Sequence, residues 1–305
     1  MAIEDRYRQQ VLLLVQLLPI VAKEREFALK GGTAINLFDS DMPRLSVDID
    51  LTYLGLEPRK EALNHCQGLM ERIAETIERQ LPRCRVERRL DDPDEIRLIV
   101  RSNSVMVKIE SSPVARGVVG PLEIRETQSK VQDEFGYAEI QCVSSPELYG
   151  GKICAALDRQ HPRDLFDVRQ LMARGGLTRA VIDGFLVAVM SSRRPMAEIL
   201  DPNRKTLTKS FVEEFQGMTE TPVSLESLDQ AREDLLQTIG RLMTEDDWAF
   251  LVDFKRGEPD WNQFAYPNAQ ELPAVRWKQL NLDKMRSSKR EAAVERLDEV
   301  LKRMI

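Results

Sequence analysis

Two aspartates are the first residues in this sequence whose type and spacing suggest chemistry. Asp48 and Asp50 lie in the stretch 45–53, where apolar and polar residues alternate with the period of a strand. Residues two apart on a strand point to one face, so both carboxylates project together while Ile49 points into the core. Two anionic side chains on a rigid strand suit Mg²⁺, which takes one or two carboxylates together with phosphate oxygens. Such pairs also occur on ordinary exposed strand faces, so the surrounding sequence is needed to distinguish a metal site from a polar surface.

A glycine-rich turn upstream favours the metal interpretation. Gly31 and Gly32 are followed by Thr33, and the turn is predicted to open a short helix that ends near Phe38. Because glycine has no Cβ, backbone N–H groups in such a turn can approach a phosphate closely, and the Thr33 hydroxyl adds a donor. Together the turn and the aspartates indicate a site for a metal-bound phosphate group.

A second group of charged residues lies downstream. Lys152 and Arg159 have the spacing of one helical face, and this positive stripe could neutralise a triphosphate. Asp164 and Asp167 open the next helix, where acidic side chains stabilise the free N–H groups. We expect Asp164 to orient Arg159 or Arg163, whereas structural and functional roles for Asp167 are both open.

The elements that must position these residues predict an α+β fold. After Gly175 and Gly176 the pattern is almost wholly helical, with capped helix starts at Thr244 and Ser288. We therefore predict a domain with a mixed sheet over residues 1–175 and an all-helical C-terminal domain over residues 176–305. Strands are expected at 26–29, 45–53, 85–90, 96–101, 105–110 and 138–143, and helices at 11–22, 58–80, after Ser144 or Ser145, and at 164–174.

Composition limits both the chemistry and the location. The chain has 305 residues, a formal net charge of −6, two histidines, and four cysteines without a CxxC spacing. Chemistry that depends on several histidines is therefore disfavoured, and the cysteines are expected to be reduced residues of a cytoplasmic protein. The apolar run 11–22 is too short to span a membrane, which takes about 20 residues, so we interpret it as a buried first helix.

Two ordered motifs resemble a known family. The runs 30–34 (Lys-Gly-Gly-Thr-Ala) and 44–51 (Arg-Leu-Ser-Val-Asp-Ile-Asp-Leu) resemble the signature of the DNA polymerase beta-like nucleotidyltransferase superfamily. The form Arg-x-Ser-x-Asp-x-Asp is similar to the AbiEii branch, the toxins of abortive-infection toxin–antitoxin pairs. The downstream run 151–168 resembles the Lys-x-x-Ala…Arg…Arg-Asp-x-x-Asp motif of that family, so the resemblance covers residues 25–175.

The resemblance implies a nucleotidyltransferase fold in the N-terminal domain, Mg²⁺ as cofactor and a nucleoside triphosphate as substrate. Asp48 and Asp50 are then catalytic residues that bind the metal. Lys152 and Asp164 belong to the same catalytic set, with Lys152 as a positive charge on the leaving pyrophosphate. The nucleotide-binding residues that the resemblance implies are Gly31, Gly32, Thr33, Arg44, Ser46, Lys152 and Arg159.

A third carboxylate is expected, because nucleotide transfer needs a group that orients or deprotonates the acceptor hydroxyl. Glu110 ends a strand predicted in the same sheet as the aspartates, and the family resemblance places an acidic residue there. Glu123 is the alternative. Arg44 lies just before the aspartates, where it either reaches a phosphate or bridges Asp41 on the surface.

The function implied by the resemblance is transfer of a nucleotide to RNA, most simply to the 3′ end of tRNA, by a toxin that has a cognate antitoxin. Transfer to a small molecule such as an aminoglycoside, or to a protein hydroxyl, would use the same residues and is the alternative. A non-catalytic module is disfavoured because every expected residue type is present in order. Residues 274–305 contain nine Lys/Arg and five Asp/Glu, with Trp277 among them. This composition is typical either of an RNA-binding face or of a solvated helix with a buried tryptophan.

Overall fold

The computed structural model describes residues 5–90 and 95–304. Its contacts divide the chain into two compact units. The sheet unit comprises the residues up to Ser144 together with Gln216–Pro222, and the helical unit comprises Ser145–Phe215 and the residues from Val223 onward. This division lies at Ser144, whereas the domain boundary expected from the sequence lies after residue 175. The difference arises because the helices between these positions pack with the later helices of the chain.

The sheet unit contains a mixed seven-stranded sheet, which confirms the α+β prediction. Its strands are β1 Phe27–Lys30, β2 Asp48–Tyr53, β3 Cys84–Arg89, β4 Ile96–Ser102, β5 Val105–Ser111, β6 Glu123–Glu126 and β7 Glu139–Cys142. Its helices are α1 Asp5–Val21, α2 Gly31–Thr33, which continues as a π-helical turn over Ala34–Asp39, α3 Arg59–Gln80 and α4 Ser129–Phe135. The strand order is β3-β4-β5-β2-β1-β7-β6. The central strand β2 is therefore parallel to β5 and antiparallel to β1.

The two faces of β2 have different surroundings. Ile49 is fully buried, and Tyr53 on the same face makes an edge-to-face contact with His65 of α3, with ring centroids 5.7 Å apart. The amphipathic helix α3 buries its apolar stripe against the sheet and covers this face. Because strand residues alternate between faces, Asp48 and Asp50 lie on the opposite face, away from α3.

The first helix is buried, as the apolar run 11–22 predicts. α1 begins at Asp5, ends at Val21 and packs against α3 and β5. Its inward side chains, including Val11, Leu14 and Leu18, are fully buried. Among the helices in residues 5–90 and 95–304, none combines the length and apolarity needed to cross a membrane.

The helical unit contains only helices and turns in its described residues, which agrees with the all-helical prediction. The helices are α5 Ser145–Asp158, α6 Pro162–Ala173, α7 Arg179–Ser191, α8 Met196–Leu200, α9 Thr208–Glu214, α10 Leu225–Leu242, α11 Glu245–Arg256, α12 Pro273–Asp283 and α13 Ser287–Arg303. α5 packs along α7, and α6 packs on both α5 and α10. Two short 3₁₀ turns, Trp261–Gln263 and Pro267–Glu271, connect α11 to α12.

Of the two helix caps predicted from the sequence, the one at Thr244 is present and the one at Ser288 is not. The Thr244 hydroxyl accepts a hydrogen bond from the Asp247 N–H, and the Asp247 carboxylate accepts one from the Thr244 N–H, so α11 begins with the predicted capping box. The predicted cap at Ser288 is wrong, because α13 already begins at Ser287 and Ser288 lies inside its first turn.

Two short elements of the sheet unit escape sequence reasoning. β6 has the sequence Glu-Ile-Arg-Glu, which is too short and too charged to show an apolar pattern, and its pairing with β7 makes it a strand. α4 spans seven residues and is followed by Gly136, whose φ of 108° is unfavourable for other residues. Neither segment is long enough to show a clear helical or strand period.

Gly150 and Gly151 provide a matched pair of substitutions on α5. A Cβ at Gly150 would overlap the backbone of Gly184 on α7, whereas a Cβ at Gly151 meets no atom within 4 Å. Gly150→Ala should therefore destabilise the helical unit by about 2–3 kcal/mol, because the two helices must move apart. Gly151→Ala should stabilise it by about 0.5–1 kcal/mol through helix propensity. Urea unfolding followed by circular dichroism measures both effects, and equal midpoints for the two variants would contradict this close helix packing.

Candidate active site

The structure places four charged residues side by side across the centre of the sheet. Asp50 on β2 lies in register with Glu110 on β5 and with Lys30 on β1. Glu110 in turn lies in register with Arg97 on β4. Because paired residues of neighbouring strands share a face, these four side chains form a row of two adjacent carboxylates with a cation at each end, which we call the charged row. Asp48 lies on the same face of β2, two residues before Asp50.

Glu110 is the carboxylate that the sheet brings next to Asp50. Its side chain is 21% exposed, and its Oε1 lies 2.7 Å from Nε of Arg97. Burial raises the pKa of Glu110, the charge of Arg97 opposes this rise, and neighbouring carboxylates add to it. A carboxylate with a raised pKa is suited to accept a proton near neutral pH. Glu123, the alternative, lies on the edge strand β6, which β1 and β7 separate from β2.

Lys30 belongs to the site although sequence reasoning did not single it out. It ends β1, immediately before the glycine turn, and lies opposite Asp50. Burial lowers the pKa of Lys30, and the negative charge of Asp50 counteracts this effect. The position of Lys30 before Gly31 is visible in the sequence, but its pairing with Asp50 depends on how β1 and β2 align.

The glycine turn packs directly against the aspartates. Gly31 has a φ of 71°, and a Cβ at this position would overlap Oδ2 of Asp50, so both backbone conformation and space require glycine. The fully buried Thr33 hydroxyl donates to the Asp48 carbonyl oxygen at 2.5 Å and lies 3.0 Å from the Ser46 hydroxyl. Thr33 and Ser46 therefore tie the turn to β2, and their contact with a nucleotide stays a prediction.

Arg44 is buried beneath the same turn. The residue is 2% exposed, and its Nη1 donates to the Leu45 carbonyl oxygen at 2.9 Å. Its Nη2 would lie 2.8 Å from a Cβ at Gly32. Asp41, the surface partner considered for Arg44, accepts a hydrogen bond from the N–H of Lys130. Arg44 is thus a buried cation beside Gly32, and its binding of a phosphate stays a prediction.

In the helical unit, a buried ion cluster joins α5 to α6. Nζ of Lys152 lies 2.8 Å from Oδ1 of Asp164 and 3.1 Å from Oδ2 of Asp167, and both carboxylates are inaccessible to solvent. Nη2 of Arg159 also donates to Oδ1 of Asp164 at 2.9 Å. Of the two arginines expected as its partner, Asp164 therefore orients Arg159. Asp167 belongs to the cluster through its contact with Lys152.

Local sequence explains how the ion cluster forms. α6 begins at Pro162, a favourable first residue, and His161 caps it by accepting a hydrogen bond from a backbone N–H of the first turn. Asp164 therefore lies in the first turn of α6. Burial by itself would raise the pKa of Asp164, but the charges and hydrogen bonds of Lys152 and Arg159 hold it well below its ordinary value. Asp164 stays ionised at neutral pH.

The donor set on the sheet fits Mg²⁺ that is bound jointly with a phosphate. Within the two described ranges, no three carboxylate, imidazole or thiol side chains converge on one metal position. Mg²⁺ needs fewer protein ligands, since it takes one or two carboxylates and completes its shell with water and phosphate oxygens. Asp48 and Asp50 provide such a pair, and Gly31 leaves the space beside Oδ2 of Asp50 without a side chain.

Arg97→Gln tests the electrostatics of the charged row. The substitution removes a positive charge 2.7 Å from Oε1 of Glu110, so the protonated form of Glu110 becomes more favourable and its pKa should rise above the wild-type value. Carbon-13 NMR titration of labelled glutamate carboxyls measures this pKa. Arg101→Gln on the same strand is the control, because Arg101 pairs with Glu87 and should leave Glu110 unchanged. An unchanged or lowered Glu110 pKa in Arg97→Gln would contradict the pairing.

The comparisons with known proteins agree with this fold and these motifs. A family model described as "Nucleotidyl transferase AbiEii toxin, Type IV TA system" matches residues 12–279. The structure is similar to MenT4, a nucleotidyltransferase toxin from Mycobacterium tuberculosis H37Rv, with a TM-score of 0.61 and 14% identity over 90% of this chain and 92% of that chain. Terminal uridylyl transferase 4 from Trypanosoma brucei, with bound UPU, aligns over 94% of this chain and 93% of that chain at 14% identity, but the TM-score of 0.26 is too low to show a common fold. No protein with a curated description matches the sequence.

The likeness to MenT4 concerns the fold, since the two sequences share few residues. The family match is broader than the motifs, because it includes the glycine turn, both aspartates, the ion cluster and most of the helical unit. With the motifs in order and the aspartates of β2 set against the glycine turn, the chain belongs to the AbiEii family of nucleotidyltransferase toxins of type IV toxin–antitoxin systems.

Proposed function

We propose that this protein transfers a nucleotide from a nucleoside triphosphate to an RNA acceptor, most simply the 3′ end of a tRNA, in a reaction that requires Mg²⁺. The observation that carries the proposal is that one face of the sheet holds Asp48, Asp50 and Glu110 beside the glycine turn. Such a face combines candidate metal ligands, a candidate proton acceptor and space for a phosphate.

Asp48 and Asp50 would hold the metal. When bound there, Mg²⁺ neutralises triphosphate charge and stabilises the charge that develops during transfer. β2 pairs with a strand on each side, so the two carboxylates are held in place before substrate binds. Gly31 puts main chain rather than a side chain next to Asp50, and Gly32 does the same next to Arg44 and Ser46, as close approach of a phosphate requires.

Glu110 is our candidate for the group that takes the proton of the acceptor hydroxyl. As the hydroxyl oxygen bonds to the α-phosphorus, the bond from that phosphorus to the pyrophosphate oxygen breaks, and the proton passes to the Glu110 carboxylate. The raised pKa of Glu110 supports this role, because proton transfer is most effective when the pKa of the acceptor approaches the working pH. Arg97 orients the carboxylate through its contact with Oε1.

Lys152 is proposed to place positive charge on the leaving pyrophosphate, and Arg159 to bind the nucleotide as well. The ion cluster supports this role because the ionised Asp164, 2.8 Å from Nζ of Lys152, holds the Lys152 side chain in one orientation. A charge that is already oriented stabilises a transition state without the cost of reorganisation. Asp164 and Asp167 are then positioning residues.

A cognate antitoxin and a cytoplasmic location complete the proposal. Membership of a toxin family implies an antitoxin partner. All four cysteines are free and buried, and burial raises the pKa of Cys66 and Cys142 to about 12, so these thiols are poorly reactive. Free thiols are typical of proteins in a reducing compartment.

Substitution of each metal-binding candidate tests the reaction. Asp48→Asn and Asp50→Asn should each lower transfer by roughly a thousandfold or more, because a lost metal ligand removes several kcal/mol of transition-state stabilisation. The assay incubates each radiolabelled nucleoside triphosphate with total RNA and Mg²⁺, and the control is Asp133→Asn, an exposed residue of α4. Near-normal transfer by either variant would refute the metal assignment. Label that enters only a protein or a small molecule would refute the RNA acceptor.

The variant Asp48→Asn also tests whether toxicity depends on nucleotide transfer. Expression of the wild-type chain in a bacterium without the antitoxin should stop growth, and Asp48→Asn should relieve the arrest while Asp133→Asn should not. An enzyme that blocks tRNA 3′ ends needs only catalytic amounts, whereas a binding protein must match its target in number. Arrest that persists in Asp48→Asn would show that the toxicity does not depend on transfer.

Lys152→Gln tests the proposed charge on the leaving group. It should lower transfer by at least about a hundredfold, because that charge acts mainly in the transition state. The substitution also leaves two buried carboxylates with less compensation and costs about 3–5 kcal/mol of stability, so transfer is measured where circular dichroism shows a folded protein. Arg163→Gln is the control, since Arg163 pairs with the exposed Glu214. A mild loss in folded Lys152→Gln, equal to that of the control, would contradict the role.

A further inference from the structure

An apolar surface on α12 faces the solvent. Trp277 is 54% exposed and Leu280 is 50% exposed, and their spacing places them on one face of the helix. The opposite side of α12 is anchored in the unit through the buried residues Val275 and Leu282. A large aromatic residue held in water on an anchored helix is typical of a binding surface.

The exposure of Trp277 contrasts with the placement of another tryptophan in the same unit. Trp261 packs among three phenylalanines, with ring centroids 5.3 to 6.1 Å apart. Trp277 instead faces the solvent. This exposure excludes the interpretation of the segment as a solvated helix with a buried tryptophan. The neighbouring Lys278 points inward and donates hydrogen bonds from Nζ to the carbonyl oxygens of Val189 and Arg194, at 2.9 and 3.1 Å. Lys278 thereby helps fix the helix orientation that presents Trp277.

The segment around this surface is strongly basic in a chain whose net charge is −6. Lys284, Arg286 and Lys289, in the connection from α12 to α13 and the first turn of α13, are exposed. Arg276, beside Trp277, is also exposed and forms an ion pair with Glu271. Over residues 273–290 the basic residues are Arg276, Lys278, Lys284, Arg286, Lys289 and Arg290, and the single acidic residue is Asp283.

We propose that Trp277, Leu280 and the basic residues Lys284, Arg286 and Lys289 form a docking surface for the single-stranded part of an RNA acceptor. This inference rests on the proposed function for its choice of RNA. An exposed indole offers a stacking face to any base, and the lysines and arginine can neutralise successive phosphates. The near absence of acidic residues favours a polyanion, and the combination of aromatic and cationic side chains suits unpaired bases better than a duplex.

Binding is tested with the whole Asp48→Asn chain of 305 residues, which should bind RNA without adding a nucleotide to it. The probe is a fluorescein-labelled, single-stranded 12-nucleotide RNA of mixed sequence, followed by anisotropy. Trp277→Ala should weaken binding about tenfold, and Trp277→Phe should restore most of it because the ring still stacks. In Lys284→Ala/Lys289→Ala, the slope of log affinity against log salt should fall by about 1.4, as expected for two lost phosphate contacts with a single strand. Lys302→Ala near the end of α13 is the control for a lysine outside the surface.

The outcomes separate this inference from the proposed function. Wild-type affinity and salt slope in both Trp277→Ala and Lys284→Ala/Lys289→Ala would overturn the docking surface even if Asp48-dependent transfer to RNA occurs. Loss of binding in these variants would support the surface even if no transfer to RNA is found. If sedimentation shows that Trp277→Ala abolishes self-association of the chain while RNA affinity is unchanged, the surface joins two copies of the protein and the proposal is wrong.

Discussion

The register of β2 between β1 and β5 is the constraint on which the candidate site depends. It places Asp50 between a carboxylate on one side and an ammonium group on the other. A shift of one residue would turn both aspartates towards the face that α3 covers. Asp50 and Glu110 are paired on neighbouring strands, so their negative charges repel each other. Arg97 and Lys30 at the ends of the charged row offset this repulsion. The row therefore keeps two carboxylates together on a half-buried surface.

The glycine turn and β2 behave as one rigid piece. Gly31 fits against Asp50 only because it lacks a Cβ, and Thr33 is hydrogen-bonded to the backbone of the strand. Arg44 and Ser46, which the motif connects to nucleotide binding, are buried in the same contact region. The motif thus has two functions in one short stretch: it shapes the backbone next to the aspartates, and it secures that backbone by interactions hidden from solvent.

The helical unit uses buried charge in a different way. Removing Lys152, Asp164 and Asp167 from water is costly, and the cost is offset only because each charge has a close partner. An apolar core would stabilise the unit at least as well, so the cluster is better explained by the orientation that it imposes on Lys152 and Arg159. On α12 the usual distribution is also reversed, since the Lys278 side chain points inward beside the exposed Trp277.

The sequence alone determined the features that depend on local pattern. Alternating and helical periods located most strands and helices, Thr244 with Asp247 defined a cap, and two ordered motifs indicated the family. These signals are local because backbone geometry links residues a few positions apart. The tertiary structure decided which distant residues meet: Lys30 with Asp50, Arg97 with Glu110, and Lys152 with Asp167. It also decided that Arg44 is buried, that β6 is a strand and that Trp277 faces the solvent. Strand register and burial result from packing across the whole chain, so no short stretch of sequence specifies them.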